Sequence, residues 1–249
     1  MTLQQLYSFC RKGIDDYNLI EENDKIAVGL SGGKDSLTLL YALKGLQRFY
    51  PKKFELIAIH VNLGFPDFSG DVMQDFCQKL GIEYHQLDTE IQKIVFELHP
   101  EEKPCSLCAR LRKGALNEEA VKLGCNKIAY AHHKDDFLET MMMSLMYEGR
   151  FYSFSPKTQL TRSGLTVIRP MIYVNESDVI GFSHKYQLPV TKNPCPADGF
   201  TKREYAKQLI KQLKSQNPQV KERFFHAIQN AEFDDWPKKK PVGTEKRSS

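Results

Sequence analysis

The stretch from residue 25 to residue 50 constrains this chain more than any other. Residues 25–30 (Lys-Ile-Ala-Val-Gly-Leu) read as a buried strand, and residues 37–50 carry apolar side chains at helical spacing until Pro51. Between them lies the turn Ser31-Gly32-Gly33-Lys34-Asp35-Ser36. Its glycines let the backbone curl so that successive N–H groups point at one anion. The start of the helix adds partial positive charge. Ser31 and Ser36 offer hydroxyl donors and Lys34 a cation, which together suit a phosphate. Asp35 would be repelled by that phosphate unless a cation or a substrate hydroxyl stands between. This is not a Walker A loop, since Asp35 follows Lys34 and Val28 stands where the leading glycine belongs, and no G-x-G-x-x-G is present. A tight strand–helix turn with no ligand is the plain alternative.

Strand and helix go on alternating. Residues 54–61, 82–87 and 127–131 read as strands, and 70–80, 106–123 and 135–147 as helices, two of them stopped by Gly81 and Gly124. This pattern predicts an α/β fold: an open parallel sheet, reached by right-handed crossovers and covered by helices on both faces. The second half changes character. Residues 151–169 read as a loop with one short strand at 165–168, 176–187 as a helix, and 188–199 as a Pro-rich loop. Residues 200–214 and 219–231 read as helices of a C-terminal extension. The expected division is an N-terminal helix in 1–23, the α/β domain with a C-x-x-C in 24–190, a loop and helices in 191–235, and a basic, disordered tail in 236–249.

Composition narrows the function classes. With 249 residues, 41% hydrophobic and 27% charged, the chain can bury a sizeable core, which excludes disorder throughout. No apolar run nears the roughly 20 residues of a membrane-spanning helix. The first residues lack the basic start and apolar run of a secretory signal, so the expected compartment is the cytoplasm. The net charge of +4 is matched by residues 237–249 alone, where five basic residues face Glu245. Local clusters say more. Residues 103–113 hold Lys103, Arg110, Arg112 and Lys113 without an acid, and 185–214 hold seven basic residues against Asp198 and Glu204. Either cluster suits a phosphate backbone, and either is equally readable as a solvated helix face.

Of the six cysteines, Cys10, Cys77 and Cys125 lie in apolar stretches and read as small buried side chains. Cys105 and Cys108 form a C-x-x-C, and Cys195 sits in Asn193-Pro194-Cys195-Pro196, a rigid loop unsuited to core packing. Soft thiolates in such a set select an iron–sulfur cluster or zinc. Zinc prefers a fourth ligand in a closed structural site, which a histidine can supply. Unmetallated thiols are the third option.

The glycine turn resembles the pyrophosphate loop of the N-type ATP pyrophosphatases, enzymes that split ATP between its α- and β-phosphates and adenylate a substrate. The resemblance implies that Ser31, Gly32, Gly33, Lys34, Asp35 and Ser36 hold the pyrophosphate end. It also implies that backbone near Gly29 and Leu30, and near His60 and Val61, holds adenine. Residues 131–140, Ala-His-His-Lys-Asp-Asp-Phe-Leu-Glu-Thr, are similar to the H-H-x-D-D-x-x-E-T segment of the tRNA-modifying branch. Asp135 and Asp136 can there hold Mg²⁺ beside ATP, with a plain acidic helix start as the alternative. Cys105-Ser106-Leu107-Cys108 followed by Arg112 looks like the C-x-x-C-x-x-x-R segment of the tRNA 2-thiocytidine synthases, the TtcA family. Tyr147-Glu148-Gly149-Arg150, Ser155-Pro156-Lys157 and Ile168-Arg169-Pro170-Met171 resemble that family too, over about residues 10 to 210.

That resemblance implies a [4Fe–4S] cluster on Cys105, Cys108 and Cys195, with one iron left open for a hydrosulfide. It implies ATP-dependent adenylation of the C2 oxygen of cytidine 32 in tRNA and insertion of sulfur there. Lys34, Asp35, Cys105 and Cys195 are then the catalytic residues; a cysteine desulfurase is the sulfur source, and the enzyme is a homodimer. Arg110, Arg112, Lys113 and the 185–214 face would grip the tRNA backbone. The family often shows a further C-x-x-C around the third cysteine, whereas Cys195 stands alone here. Three readings compete: thiolation or desulfidation of another substrate, a lysidine-type ligase that needs no C-x-x-C, and a zinc-stabilised RNA-binding module.

Overall fold

The computed structural model describes residues 1–65, 70–98, 104–191, 195 and 202–231. The chain opens with α1 (Leu3–Tyr17), then β1 (Asp24–Gly29), α2 (Lys34–Leu46), β2 (Phe54–Asn62), α3 (Asp71–Leu80) and β3 (Glu83–Asp88). A short α4 (Ile91–Lys93) runs into a π-helical turn, Ile94–Leu98. There follow α5 (Pro104–Lys122), β4 (Lys127–Ala129), α6 (Lys134–Glu148), β5 (Lys157–Gln159), β6 (Thr166–Ile168), α7 (Glu176–Lys185), α8 (Lys202–Gln216) and α9 (Val220–Asn230). The tail expected in 236–249 lies outside the described residues.

The strands form one sheet in the order β3-β2-β1-β4-β6-β5. Neighbours from β3 to β6 are parallel, as the alternation predicts, and β5 is antiparallel to β6. This edge hairpin corrects the reading of 151–169 as a loop with a single strand. Its turn is closed by Leu160 N to Leu165 O at 2.8 Å and Gly164 N to Leu160 O at 2.9 Å, with Gly164 at φ +73°. The Lys-Thr-Gln of β5 is wholly polar and carries no hydrophobic alternation to reveal it.

Side chains of β1 alternate between two cores. Ile26 and Val28 pack with α1, α2, α3, α6 and α7, whereas Ala27 packs with Leu107, Leu116 and Ala120 of α5. The helices therefore cover both faces, and the first core extends to Ile228 of α9. Cys10, Cys77 and Cys125 lie buried in these cores, and burial pushes the thiols of Cys10 and Cys77 up to about 12. After β3 the chain crosses back to lay β4 on the other side of β1, so the strand order reverses there. The crevice beyond the C-terminal ends of such strands is where an open sheet receives its ligand.

At the opposite end of the sheet, the Lys127 ammonium is buried against Asp24 Oδ2 at 2.7 Å and Leu19 O at 3.0 Å. Asp24 also accepts from Glu21 N at 2.6 Å and Asn126 Nδ2 at 2.7 Å, so one carboxylate ties β1 to β4 and to the end of the α1–β1 connection. Asp24→Ala leaves the buried Lys127 cation with only the half-exposed Glu21 carboxylate at 3.7 Å and the Leu19 carbonyl. It is expected to destabilise the protein by about 3–5 kcal/mol, read as a lower urea midpoint at unchanged slope.

Candidate active site

A cavity of about 580 Å³ opens beyond the ends of β1, β2 and β4. The glycine turn forms one wall. Ser31 N donates to Ser36 Oγ at 3.2 Å, and Ser36 Oγ donates to Gly33 O at 3.0 Å, which folds the turn on itself. Gly33 stands at the N-cap of α2 with no side chain to compete for the helix start. Leu30, Ser31, Gly33, Asp35 and Ser36 line the cavity, joined by Val61 from β2. The N–H of Leu30 is already spent on Ile59 O at 2.8 Å, and its carbonyl accepts from His60 Nδ1 at 2.8 Å. Gly32 and Lys34 stand behind the wall. Gly32 is covered by Thr191, whose N–H donates to Gly32 O at 3.0 Å. Lys34 Nζ is drawn to Asp35 Oδ2 at 3.0 Å and Glu176 Oε1 at 3.5 Å. Asp35 Oδ1 is buried with no hydrogen-bond partner, 3.7 Å from His133 Nε2.

The two acids in the first turn of α6 part company. Asp136 lines the cavity, accepts from His133 N at 2.9 Å and lies 3.3 Å from Arg203 of α8. Asp135 turns away: one oxygen accepts from Glu176 N at 2.7 Å and the other pairs with Lys221 of α9. Burial opposes its ionisation, but Lys221 and the Glu176 amide outweigh that and hold the carboxyl below its usual range. The expectation of one cation shared by Asp135 and Asp136 is corrected accordingly, because only Asp136 reaches the ligand space. At the far end of the cavity, Arg169 Nε donates to His132 Nδ1 at 3.1 Å, and its Nη1 donates to Ser155 O. The Phe154 ring stacks on both, 4.6 Å from the His132 ring and 4.9 Å from the guanidinium.

A second cavity of about 170 Å³ adjoins the first. Cys105, Cys108 and Cys195 all line it, so residues far apart in sequence converge on one space. Burial raises the Cys108 thiol; the Arg112 charge opposes the rise, and Cys195 and Cys105 add to it. Among the described residues no three His, Cys, Asp or Glu side chains are gathered tightly enough for a single metal ion. Leu63, Phe65, Ala109 and Arg112 line both cavities.

Residues 3–213 match the PP-loop domain family ATP_bind_3. The tRNA-cytidine(32) 2-sulfurtransferase of Geobacter sulfurreducens is 38% identical over 89% of this chain and 87% of its own length. That of Syntrophotalea carbinolica is 42% identical over 89% and 86%. The chain belongs to the TtcA family. Members of the family are sulfurtransferases, so this TtcA chain is an enzyme of that class. Among solved structures it is similar to the U34-tRNA thiolase NcsA from Methanococcus maripaludis with its [4Fe-4S] cluster. That likeness has a TM-score of 0.75 at 26% identity and covers 91% of this chain and 77% of NcsA. The NH3-dependent NAD synthetase of Campylobacter jejuni shares the fold alone, at TM-score 0.50 and 16% identity.

Several side chains of this TtcA site stand elsewhere than the sequence reading expects. Arg203 and Lys207 belong to the basic run 185–214, read as a face for RNA. They turn inward instead, Arg203 to Asp136 and to Glu139 at 3.1 Å, and Lys207 to Glu176 at 2.8 Å. The matching signal is the acid-rich start of α6, whose charges require partners once buried. Burial and the neighbouring Asp136 charge raise Glu139 to about 7, against the opposing Arg203, whereas its unfolded value is 4.5. The fold holds that proton more tightly, so Glu139 contributes stability that is complete below 4.5 and lost as pH rises through about 7. His132 acts in the opposite sense. Burial and Arg169 lower it from 6.5 to about 3, so its contribution is present above 6.5 and lost as pH falls toward 3. The two oppose each other between 4.5 and 6.5. Glu139→Gln is expected to unmask the histidine: urea-unfolding stability should climb more steeply across that window than in the wild type.

Proposed function

We propose that this chain activates the C2 oxygen of cytidine 32 in tRNA with ATP and replaces it with sulfur, giving 2-thiocytidine. The observation that carries this reading is the wall common to the two cavities, Leu63, Phe65, Ala109 and Arg112. Activation and sulfur insertion need adjoining sites, because water reaching an activated base first would waste it. In the first step the cytidine oxygen bonds to the α-phosphorus of ATP and the bond to the β-phosphate oxygen breaks, releasing pyrophosphate. The glycine turn and its serines receive that leaving group, and Lys34 adds its charge from behind. Adenine lies at the ends of β1 and β2, against Leu30 and Val61. Asp35, with its orphaned buried Oδ1, and Asp136 fit Mg²⁺ by charge and oxygen chemistry. In the second step a hydrosulfide bonds to C2, the carbon–oxygen bond breaks so that AMP leaves with the oxygen, and the sulfur loses its proton.

The thiols of Cys105, Cys108 and Cys195 fit an iron–sulfur cluster. They are soft donors around one cavity, and NcsA carries a [4Fe-4S] cluster. A [4Fe-4S] cluster held by these three thiols would keep one iron free of protein thiolate and would supply a place for exchangeable sulfur. Arg112 lies where it eases ionisation of Cys108 and faces the nucleotide cavity as well. Arg110, Arg112 and Lys113 of α5 carry the positive charge that meets the tRNA backbone. A cysteine desulfurase as sulfur donor, a homodimer and a cytoplasmic setting belong to the same proposal. Among the described residues no helix is long and apolar enough to cross a membrane.

Anaerobic purification with iron and sulfide analysis, then ATP:pyrophosphate exchange with and without tRNA, tests the reading. Brown protein with tRNA-stimulated exchange is expected. Cys195→Ala should lose iron and thiolation while exchange persists. Asp35→Ala should keep its iron and lose exchange by about 100-fold or more. Full iron and thiolation in Cys195→Ala would refute the ligand assignment.

A further inference from the structure

The cavity end walled by Tyr130, His132 and Arg169 has no part in the chemistry above. It is nonetheless built. Arg169 is only 8% exposed and is held by Ser155 O and by Thr158 Oγ1 at 3.4 Å. A guanidinium can only donate, so the 3.1 Å bond from Arg169 Nε makes His132 Nδ1 an acceptor. The single ring proton then sits on Nε2. A second proton is opposed by burial and by Arg169, Arg203, His133 and Lys113, whose charges all bear on the ring. Nε2 makes no hydrogen bond among the described residues. His132 thus presents in the cavity wall an N–H that cannot become an acceptor. The Tyr130 ring lies 5.8 Å from it, and the Tyr130 hydroxyl is buried without a hydrogen-bond partner.

Strand order sets His132 apart from the Val61 side of the cavity, with the Tyr130 ring between them beside Gly29. Val61 comes from β2, on one side of β1, whereas Tyr130 and His132 follow β4 on the other. A nucleotide lying over the glycine turn with its adenine toward β2 leaves the β4 end to the second substrate.

We infer that the Tyr130–His132–Arg169 end receives the target pyrimidine, and that the His132 Nε2–H, fixed as a donor by Arg169, selects cytidine over uridine. The inference rests on the reading of the chain as a cytidine thiolase. Cytosine presents N3 as a bare acceptor beside the C2 oxygen, whereas uracil presents N3–H. A fixed donor pairs with the first and opposes the second. Extruded bases are read in this way, by hydrogen bonds to that edge and by stacking on aromatic side chains. A histidine free to exchange tautomers would discriminate far less; Arg169 removes that freedom.

The test measures thiolation by the holoenzyme of two tRNAs that differ only in carrying cytidine or uridine at position 32. Wild-type enzyme is expected to favour cytidine by about 100-fold or more, as a site built to hydrogen-bond one partner does. His132→Phe keeps a ring of similar volume and removes the donor. It should lower kcat/KM for the cytidine tRNA by about 10–100-fold and bring the cytidine-to-uridine ratio toward unity. ATP affinity, titrated without tRNA, should stay as in the wild type. His132→Gln, whose amide can turn either way, should retain more rate yet still lose the preference. An unchanged ratio in both variants, or lost ATP affinity at an unchanged ratio, overturns the assignment. Wild-type holoenzyme that thiolates neither tRNA overturns the thiolase reading together with this one, and is told apart because the unaltered protein already fails.

Discussion

The ligand edge of this protein depends on the absence of a side chain at Gly32. Thr191 lies so close over that residue that a Cβ built on it would stand 2.1 Å from Thr191 Oγ1. The backbone at φ +78° disfavours any other residue a second time. The contact does more than allow the turn to curl around an anion. It brings residue 191, four positions before Cys195, down onto the glycine turn and bonds it there by its own N–H. Where the third cysteine can stand relative to Cys105 and Cys108 is thereby tied to the geometry of the nucleotide loop.

A second constraint comes from the C-terminal helices. Lys134 pairs with Glu222 at 2.5 Å and Asp135 with Lys221, so two adjacent residues of α6 meet two adjacent residues of α9 with charges crossed. Arg203 of α8 holds Asp136 and Glu139 one turn apart. Exposed ion pairs contribute about 0–1 kcal/mol each and would fix little. Here Lys134, Asp135 and Glu139 are largely buried, and a one-residue slip of α9 would set like charges face to face. The network therefore acts chiefly on register. It holds the start of α6 so that Asp136 meets the cavity.

The parallel strands were legible because strands buried on both faces read as continuous apolar runs, as Ile26-Ala27-Val28 does. The glycine turn and the C-x-x-C were legible because their chemistry is local in sequence. Strand order was not, since nothing within a strand states its neighbour, and the polar β5 gave no period to read. Asp135 and Asp136 looked equivalent as letters. Adjacent helical residues diverge by roughly 100°, so one was bound to leave the cavity, and only the position of α9 decides which. Cys195 was singled out by its rigid Pro-flanked setting, but its convergence with Cys105 and Cys108 is a tertiary fact.

Helix α5 shows how the two chemistries are kept in proportion. Cys105, Cys108, Arg112 and Leu116 follow one another at three- and four-residue spacing, which lays them along one stripe of the helix. Leu116 sits at the base of that stripe, its terminal methyl so close to Gly29 that a Cβ there would stand 2.9 Å from it, which packs the helix against β1. Cys108 is two turns above, about 12 Å along the axis, with Arg112 midway. Arg112 is the one charge on this stripe, and it faces both the thiol cavity and the nucleotide cavity. The cation that offsets the burial of Cys108 thus also lines the nucleotide cavity.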